Sequence, residues 1–358
     1  MSTSIGQYGQ VGSALILAAG IKQMAESQET LSWETSAGTL SETYAGLGSS
    51  RSSALSLTPK ITQIESYQSN VSSAQSSLTI TASALSHIVS MAQTLDSNIL
   101  SISGTTTSTA VTGVADEAQT ALTDLATTLN TSDGTGYVFA GQDSTEPPIK
   151  DTSTISSGTL ATEISSIVSS LSTSGATSVM EQATEAAGNN TSSVSVFSSN
   201  LSVTGTDATS LQKSVLTGSD SATELGVVAT QGTDSSSTST GSPIRDLMRD
   251  MMIASSLSGM SSTTSGYSDL VSQLHSSLQT TISQITNMET SVGVTQDALT
   301  TRSTLLTNMK SMLTTQLDDS RDADLATVAT QTSALNTRLQ ASYTLISDMK
   351  NMSLASYL

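Results

Sequence analysis

Two histidines, His87 and His275, are the only imidazoles in the chain, and the chemistry open to them is metal ligation or proton transfer. Neither stands in a His-x-x-x-His or Glu-x-x-His arrangement, so both read as residues of a helix surface or a helix seam. Were their helices antiparallel neighbours, the two rings would approach each other in a pH-sensitive contact. Serine is abundant, yet no Gly-x-Ser-x-Gly elbow beside a buried strand singles one out as a nucleophile. The run Gly134-Thr-Gly136-Tyr-Val-Phe-Ala-Gly141 has the glycines of a phosphate loop. It lacks the Lys-Ser/Thr ending of a P-loop and the spacing of a dinucleotide fingerprint. Asp318, Asp319, Asp322 and Asp324 hold enough carboxylates for calcium, but the glycine and terminal glutamate of an EF-hand loop are missing. The four acids precede an apolar run, which fits the charge expected at a helix start. The expectation is therefore no catalytic residue, no cofactor and no metal: not an enzyme.

The elements around these residues are predicted from an unusual composition. The charged fraction of the 358 residues is 12%, about half the roughly 25% usual for soluble chains. Acids outnumber bases 30 to 12, giving a net charge of −18. Such a chain repels nucleic acid and anionic membranes, whose phosphates demand Lys and Arg clusters. Two Phe, one Trp and seven Tyr leave a thick enzyme-like core without its usual fillers, and no Cys is present to form disulfides or ligate zinc. The apolar run Ala14–Ile21 precedes the first basic residue, Lys22. It therefore lacks the charge order of a secretory signal and the roughly 20-residue length of a membrane span. It reads as the buried face of a terminal helix.

Heptad periodicity supplies the main elements. Ile64, Val71, Leu78, Leu85, Ala92 and Ile99 repeat every seven residues. The companion stripe Tyr67, Ala74, Thr81, Ile88, Leu95 and Ile102 is broken only by Thr81. This predicts a helix over 64–102, with Pro59 before it and Gly104 closing it. A second run, Val271, Leu278, Ile285, Val292, Leu299, Leu306 and Leu313, has a weaker companion: Tyr267, Leu274, Thr281, Met288, Thr295, Arg302 and Met309. Either helix alone would expose an apolar seam about 70 Å long, so the two are expected to pack on each other. Shorter helices are expected over 114–129, 245–257 and 325–349.

The predicted fold class is mainly α. A long antiparallel coiled-coil rod is formed by the N- and C-terminal segments, with a small Ser/Thr-rich, β-containing outer domain inserted between them. Tyr137-Val-Phe139 reads as a short strand or turn leaving the bundle, with Pro147 and Pro148 beyond it. Alternating segments at 193–197 and 213–216, a helix over 177–187 and low-complexity sequence at 232–242 fill the insert. The segments are 1–50 (N-terminal assembly region), 51–140 (rod), 141–242 (outer domain), 243–320 (rod) and 321–358 (C-terminal assembly helix).

Specific motifs add a resemblance. The ending Leu339-Gln-Ala-Ser-Tyr343, followed by Met352-Ser-Leu354-Ala-Ser-Tyr357-Leu358, resembles that of the hook–filament junction proteins (FlgL type) of the flagellin superfamily. Asp322-Ala-Asp324-Leu-Ala326 running into Thr330 is similar to that superfamily's acidic helix start. Leu129-Asn-Thr-Ser-Asp-Gly134 leading to Tyr137–Gly141 and Pro147-Pro148 resembles the passage from rod to outer domain. Tyr67-Gln-Ser-Asn70, Ala74-Gln75, Leu78 and Ala84-Leu85 match the first long helix. Where flagellin-like chains carry Leu-Ser-Ser-Gly-Lys followed by Asp and Pro, this chain has Leu31-Ser-Trp33-Glu-Thr-Ser-Ala-Gly38 and Tyr44-Ala-Gly-Leu-Gly48.

The resemblance implies a building block of the flagellum. It implies unfolded export through the flagellar type III apparatus with an export chaperone and without a cleaved signal peptide. It further implies extracellular self-assembly into a ring between hook-associated protein FlgK on the hook side and flagellin on the filament side. Nucleic acid and membrane insertion have no place in it. The expected assembly residues are Leu15, Ile16, Ile21 and Met24 at one end. At the other they are Leu335, Leu339, Ile346, Met349, Leu354 and Leu358, expected to bury mainly against other subunits because the terminal seams lack partners within the chain. The competing readings are a filament flagellin of the same superfamily, a coiled-coil surface adhesin and a serine hydrolase.

Overall fold

The computed structural model describes the backbone of residues 5–351 and the side chains of residues 15–348. In chain order the elements begin with α1 (Ile5–Ala37), a 3-10 segment (Tyr44–Ser50), α2 (Arg51–Ser101) and α3 (Ser108–Leu129). The middle holds α4 (Thr159–Ser169), α5 (Leu171–Ser174), α6 (Ala176–Ala187), α7 (Gly205–Thr209), β1 (Lys213–Leu216) and β2 (Ala222–Leu225). The chain ends with α8 (Pro243–Ser255), α9 (Tyr267–Arg321) and α10 (Leu325–Asn351). The protein is mainly α, with long helices from both ends of the chain and a small two-stranded sheet. Two compact units divide it: one of Met1–Ser66 with Leu306–Leu358, and one of Tyr67–Leu305.

In the second unit α2 and α9 run antiparallel. The Tyr267 hydroxyl donates to the Ile102 carbonyl (3.1 Å), His275 meets Asp96 (2.6 Å), and Gln75 donates to Thr300 (3.0 Å). Both predicted stripes form the seam. Val71, Leu78, Leu85, Ala92 and Ile99 are buried from α2, and Val271, Leu278, Ile285, Val292 and Leu299 from α9. Thr81 and Thr281, polar members of the companion stripes, are buried too, while Thr295 and Arg302 farther along α9 are only half-buried. Thr81 returns its hydroxyl proton to the Ser77 carbonyl one turn back, so it enters the seam with its donor satisfied.

Pro59 is a correction: it lies inside α2 and does not precede it. Proline removes one helical N–H and crowds the preceding turn, which argues for a boundary. The apolar stripe continues upstream through Ala54 and Leu57, both buried, and that packing carries the helix back to Arg51.

In the insert helix outweighs strand, and most residues lie outside both. Amphipathic α4 buries Leu160, Ala161, Ile164 and Val168, and α6 buries Val179, Met180 and Ala183; both pack on α8. The sequence reading missed α4. The segment 193–197 forms no strand beyond an isolated bridge between Ile149 and Phe197, while Tyr137 makes a turn bridged to Ser132. The hairpin is antiparallel, with Lys213 opposite Leu225 and Leu216 opposite Ala222. At Gly141 (φ +70°) a Cβ would lie 2.5 Å from the Leu211 carbonyl oxygen, so only glycine lets these strands of chain touch. Helix α8 is buried all round, packed against α3, α4 and α6.

Candidate assembly site

Within the first unit, α1 and α10 pack on each other. Helix α10 starts where Asp324 caps it: one carboxylate oxygen accepts from the Ala326 and Thr327 amides and the other from the Thr327 hydroxyl (2.9 Å). These bonds, led by that from the Thr327 side chain, hold the Asp324 carboxyl below its ordinary range. The acidic cluster Asp318–Asp324 is thus helix-start chemistry at Asp324. Among the described residues no group of three or more His, Cys, Asp or Glu is placed to hold a metal ion.

From that start, Val328, Leu335 and Leu339 recur on one face of α10 and cluster with Leu31 of α1, with Met24 and Ala323 packed against them. This corrects the expectation that the terminal seams lack partners within the chain. Leu335 (8% exposed) and Leu339 (9%) are already buried, and Met24 is partly covered. The physical reason is the antiparallel register, which brings Met24 and Leu31, seven residues apart, opposite a stripe of the same period.

Other expected residues stand apart. Leu15 (66%) and Ile16 (76%) are exposed, and Ile21 and Ile346 are half-buried. The Met349 side chain, Leu354 and Leu358 lie outside the described residues. Leu325, Tyr343 and Leu345 of α10 are further exposed large apolar residues that the sequence reading did not single out. Tyr343 and Leu345 lie off the heptad face, whereas Leu325 keeps the register of Leu339 but stands in the first turn of α10.

The connectors that leave α1 and enter α10 are paired. Leu40 N–H donates to the Arg321 carbonyl (2.7 Å) and Ala323 N–H to the Gly38 carbonyl (2.9 Å), flanking an antiparallel bridge between Thr39 and Asp322. Helix α1 ends at Gly38 in the left-handed region (φ +70°), where its N–H caps the Glu34 carbonyl. Trp33 Nε1–H donates to the Thr39 hydroxyl (3.2 Å), and the Arg321 guanidinium lies 5.6 Å over the Tyr44 ring.

In the second unit the histidines do not meet. His87 Nε2 pairs with Asp124 of α3 at 3.0 Å, and His275 Nδ1 with Asp96 of α2 at 2.6 Å. Sequence reasoning also missed a buried charge cluster on α8. Arg249 contacts Asp250 (2.8 Å) and Asp246 (3.4 Å), and donates to Thr184, the Thr238 carbonyl and Ser277. Arg245 donates to the Leu201 and Val203 carbonyls and stacks on Phe197. Burial lowers the Arg245 pKa to about 10, opposed by Asp246. The signal was in Arg245-Asp246 and Arg249-Asp250, two charge pairs four residues apart on a helix otherwise apolar. A cleft of about 700 Å³ opens beside this cluster between α6 and residues 234–240, walled by Glu181, Glu185, Asp234 and hydroxyls. No helix among the described residues is long and apolar enough to cross a membrane.

Residues 276–358 match the family model of the bacterial flagellin C-terminal helical region. The match takes in most of α9 and all of α10. The likeness to flagellin rests on this C-terminal segment, less than a quarter of the chain. No curated protein matches the chain.

Proposed function

We propose that the chain is the hook–filament junction subunit of a bacterial flagellum. It works outside the cell and joins hook to filament through its terminal helices. The observation that carries this reading is the α1–α10 pair, whose C-terminal half falls in the flagellin-like segment and whose outer faces expose Leu15, Ile16, Tyr343 and Leu345. Apolar side chains in solvent at that density mark a surface that other subunits cover. In this reading 1–50 and 321–358 make subunit contacts, 51–140 and 243–320 stiffen the particle, and 141–242 faces outward. FlgK lies on the hook side and flagellin on the filament side, after unfolded export through the type III apparatus with a chaperone. The absence of Cys suits that route, since no disulfide has to be opened before export.

The second reading, a filament flagellin, is favoured by the matched family model itself, which describes flagellin. A deletion strain separates the two. Loss of a junction subunit leaves flagellin made and exported but spilled unpolymerised into the medium. If the filament vanishes with no monomer released, the junction reading fails and the flagellin reading stands.

A further inference from the structure

We infer that the paired connectors 38–40 and 321–323 form a clamp that sets the register of the terminal helix pair, with Arg321 and Tyr44 as its positioning residues. The inference rests on reading α1 and α10 as the assembly element, and it names what fixes their geometry. Two helices joined only by an apolar stripe of period seven can slip by one heptad and bury equivalent residues, so the stripe alone specifies register weakly. The clamp removes that freedom. It sits at the one place where the chain enters α10 and leaves α1, and it ties them through two backbone hydrogen bonds of 2.7 and 2.9 Å around the Thr39–Asp322 bridge. From that point the chains diverge into helices whose first apolar contacts, Leu31 and Val328, fall eight and six residues away and share one cluster.

Each strand of the clamp is itself anchored. On the α1 side, Gly38 turns the chain out of the helix at φ +70°, and Trp33 holds Thr39 through its indole N–H. On the α9 side, Asp322 N–H still donates to the Asp318 carbonyl (2.7 Å), so the bridge begins at the last helical turn. Arg321 crosses between the strands: its carbonyl takes the Leu40 N–H while its guanidinium covers the Tyr44 ring. Tyr44 is fixed in turn by its hydroxyl, 3.1 Å from Thr58 Oγ1. Because Thr58 spends its own proton on the Ala54 carbonyl, Tyr44 is the donor in that bond, and the ring is tethered to α2. The chain of contacts α2–Tyr44–Arg321–Leu40 thus holds the entry to α10 against the exit from α1.

The test uses the full-length monomer with two readouts: amide exchange at Leu40 and Ala323, and disulfide yield between Leu31→Cys and Val328→Cys, which is clean because the chain has no cysteine of its own. Arg321→Met keeps the aliphatic stem and removes the charge. It is expected to speed exchange at both amides by about threefold or more, the size of a lost exposed cation–π contact, and to lower the disulfide yield. Tyr44→Leu removes the ring face and is expected to follow Arg321→Met, whereas Tyr44→Phe keeps the face but loses the hydroxyl tether to Thr58 and is expected to speed exchange by less than Tyr44→Leu does. Unchanged exchange and yield in Arg321→Met overturn the clamp. Faster exchange with an unchanged yield overturns it as well, because the bridge then breaks without the register moving. Failure of the assembly reading looks different: an intact clamp in a monomer that never enters a flagellum.

Discussion

Arg249 and Asp250 are neighbours in sequence and both fully buried, with the guanidinium Nη2 2.8 Å from the carboxylate. The same arginine reaches Thr184 of α6, the Thr238 carbonyl and Ser277 of α9, and Asp250 accepts from Ser277 at 2.7 Å. One ion pair on α8 therefore fastens three helices and the segment at 238–240, whose Thr240 amide and hydroxyl are held by Asp246. An apolar α8 would pack against the same neighbours, but it would bond none of these polar groups. The pair gives the polar, Ser/Thr-rich middle of the chain a defined arrangement that its few apolar residues specify weakly.

Removing one partner exposes the cost of the other. Asp250→Ala leaves the Arg249 charge buried with only Asp246 to meet it, and is expected to destabilise the second unit by about 3–5 kcal/mol. Replacing the pair together by Met and Leu is expected to cost much less, since no charge is then stranded. Urea unfolding of the three proteins measures this. A double variant as unstable as the single one would mean that the cluster's worth lies in its shape.

The same residue predicts a pH dependence. Burial pushes the Asp250 carboxyl up from 3.8 to about 6, against the pull of Arg249 and Ser277. The folded protein thus binds this proton more tightly than the unfolded chain does, and the group's contribution to stability falls as pH rises from about 4 through about 6. Asp133 acts oppositely. Burial would raise it, but hydrogen bonds from Thr135, Ser77 and Gly136 outweigh that and hold it at about 2, so its contribution is present above 3.8 and lost as pH falls towards 2. Asp250→Asn is expected to flatten the stability profile between pH 4 and 6 and leave the acid limb unchanged. An unaltered slope in that window would reject the assignment.

The heptads made the long helices legible because their packing repeats at fixed intervals, and every apolar member from Val71 to Ile99 is buried as that repeat requires. Pro59 misled for a local reason: its backbone preference is strong within one turn, yet the stripe through Leu57 and Ile64 extends over several. Helix α4 was hidden because five apolar residues among Ser, Thr and Glu give a pattern too short to separate from low-complexity sequence. At the candidate site the residue types were legible and their partners were not. Leu335 and Leu339 look like an open seam until the Thr39–Asp322 bridge fixes which stretch of α1 lies opposite. Sequence spacing reports a face, and only tertiary register reports what covers it.

Pro59 makes a prediction of its own. It stands inside α2 with helix on both sides, so it forfeits one helical hydrogen bond while the neighbouring stripe keeps the helix intact. Pro59→Ala restores the N–H and is expected to stabilise the first unit by roughly 1–3 kcal/mol, raising the urea midpoint and slowing amide exchange over residues 55–62. A variant less stable than the parent would show that the proline fits a bend the helix needs.

The terminal helices separate two kinds of apolar residue, and substitutions can tell them apart. Leu335 belongs to the cluster with Leu31, so Leu335→Ala is expected to cost about 2 kcal/mol in the isolated monomer and to loosen α10 from α1. Leu15 makes no such demand: at 66% exposure, Leu15→Asp is expected to change monomer stability by no more than about 0.5 kcal/mol. In assembly the order reverses. A carboxylate at Leu15 has to be buried unpaired at a subunit contact and is expected to abolish incorporation, whereas Leu335→Ala weakens it only as far as it weakens the monomer. Thermal melts of the monomer and co-sedimentation with growing filaments read the two effects separately. If Leu15→Asp incorporates as well as the parent, the exposed face of α1 is not an assembly surface. If it melts early instead, Leu15 has a partner within its own chain.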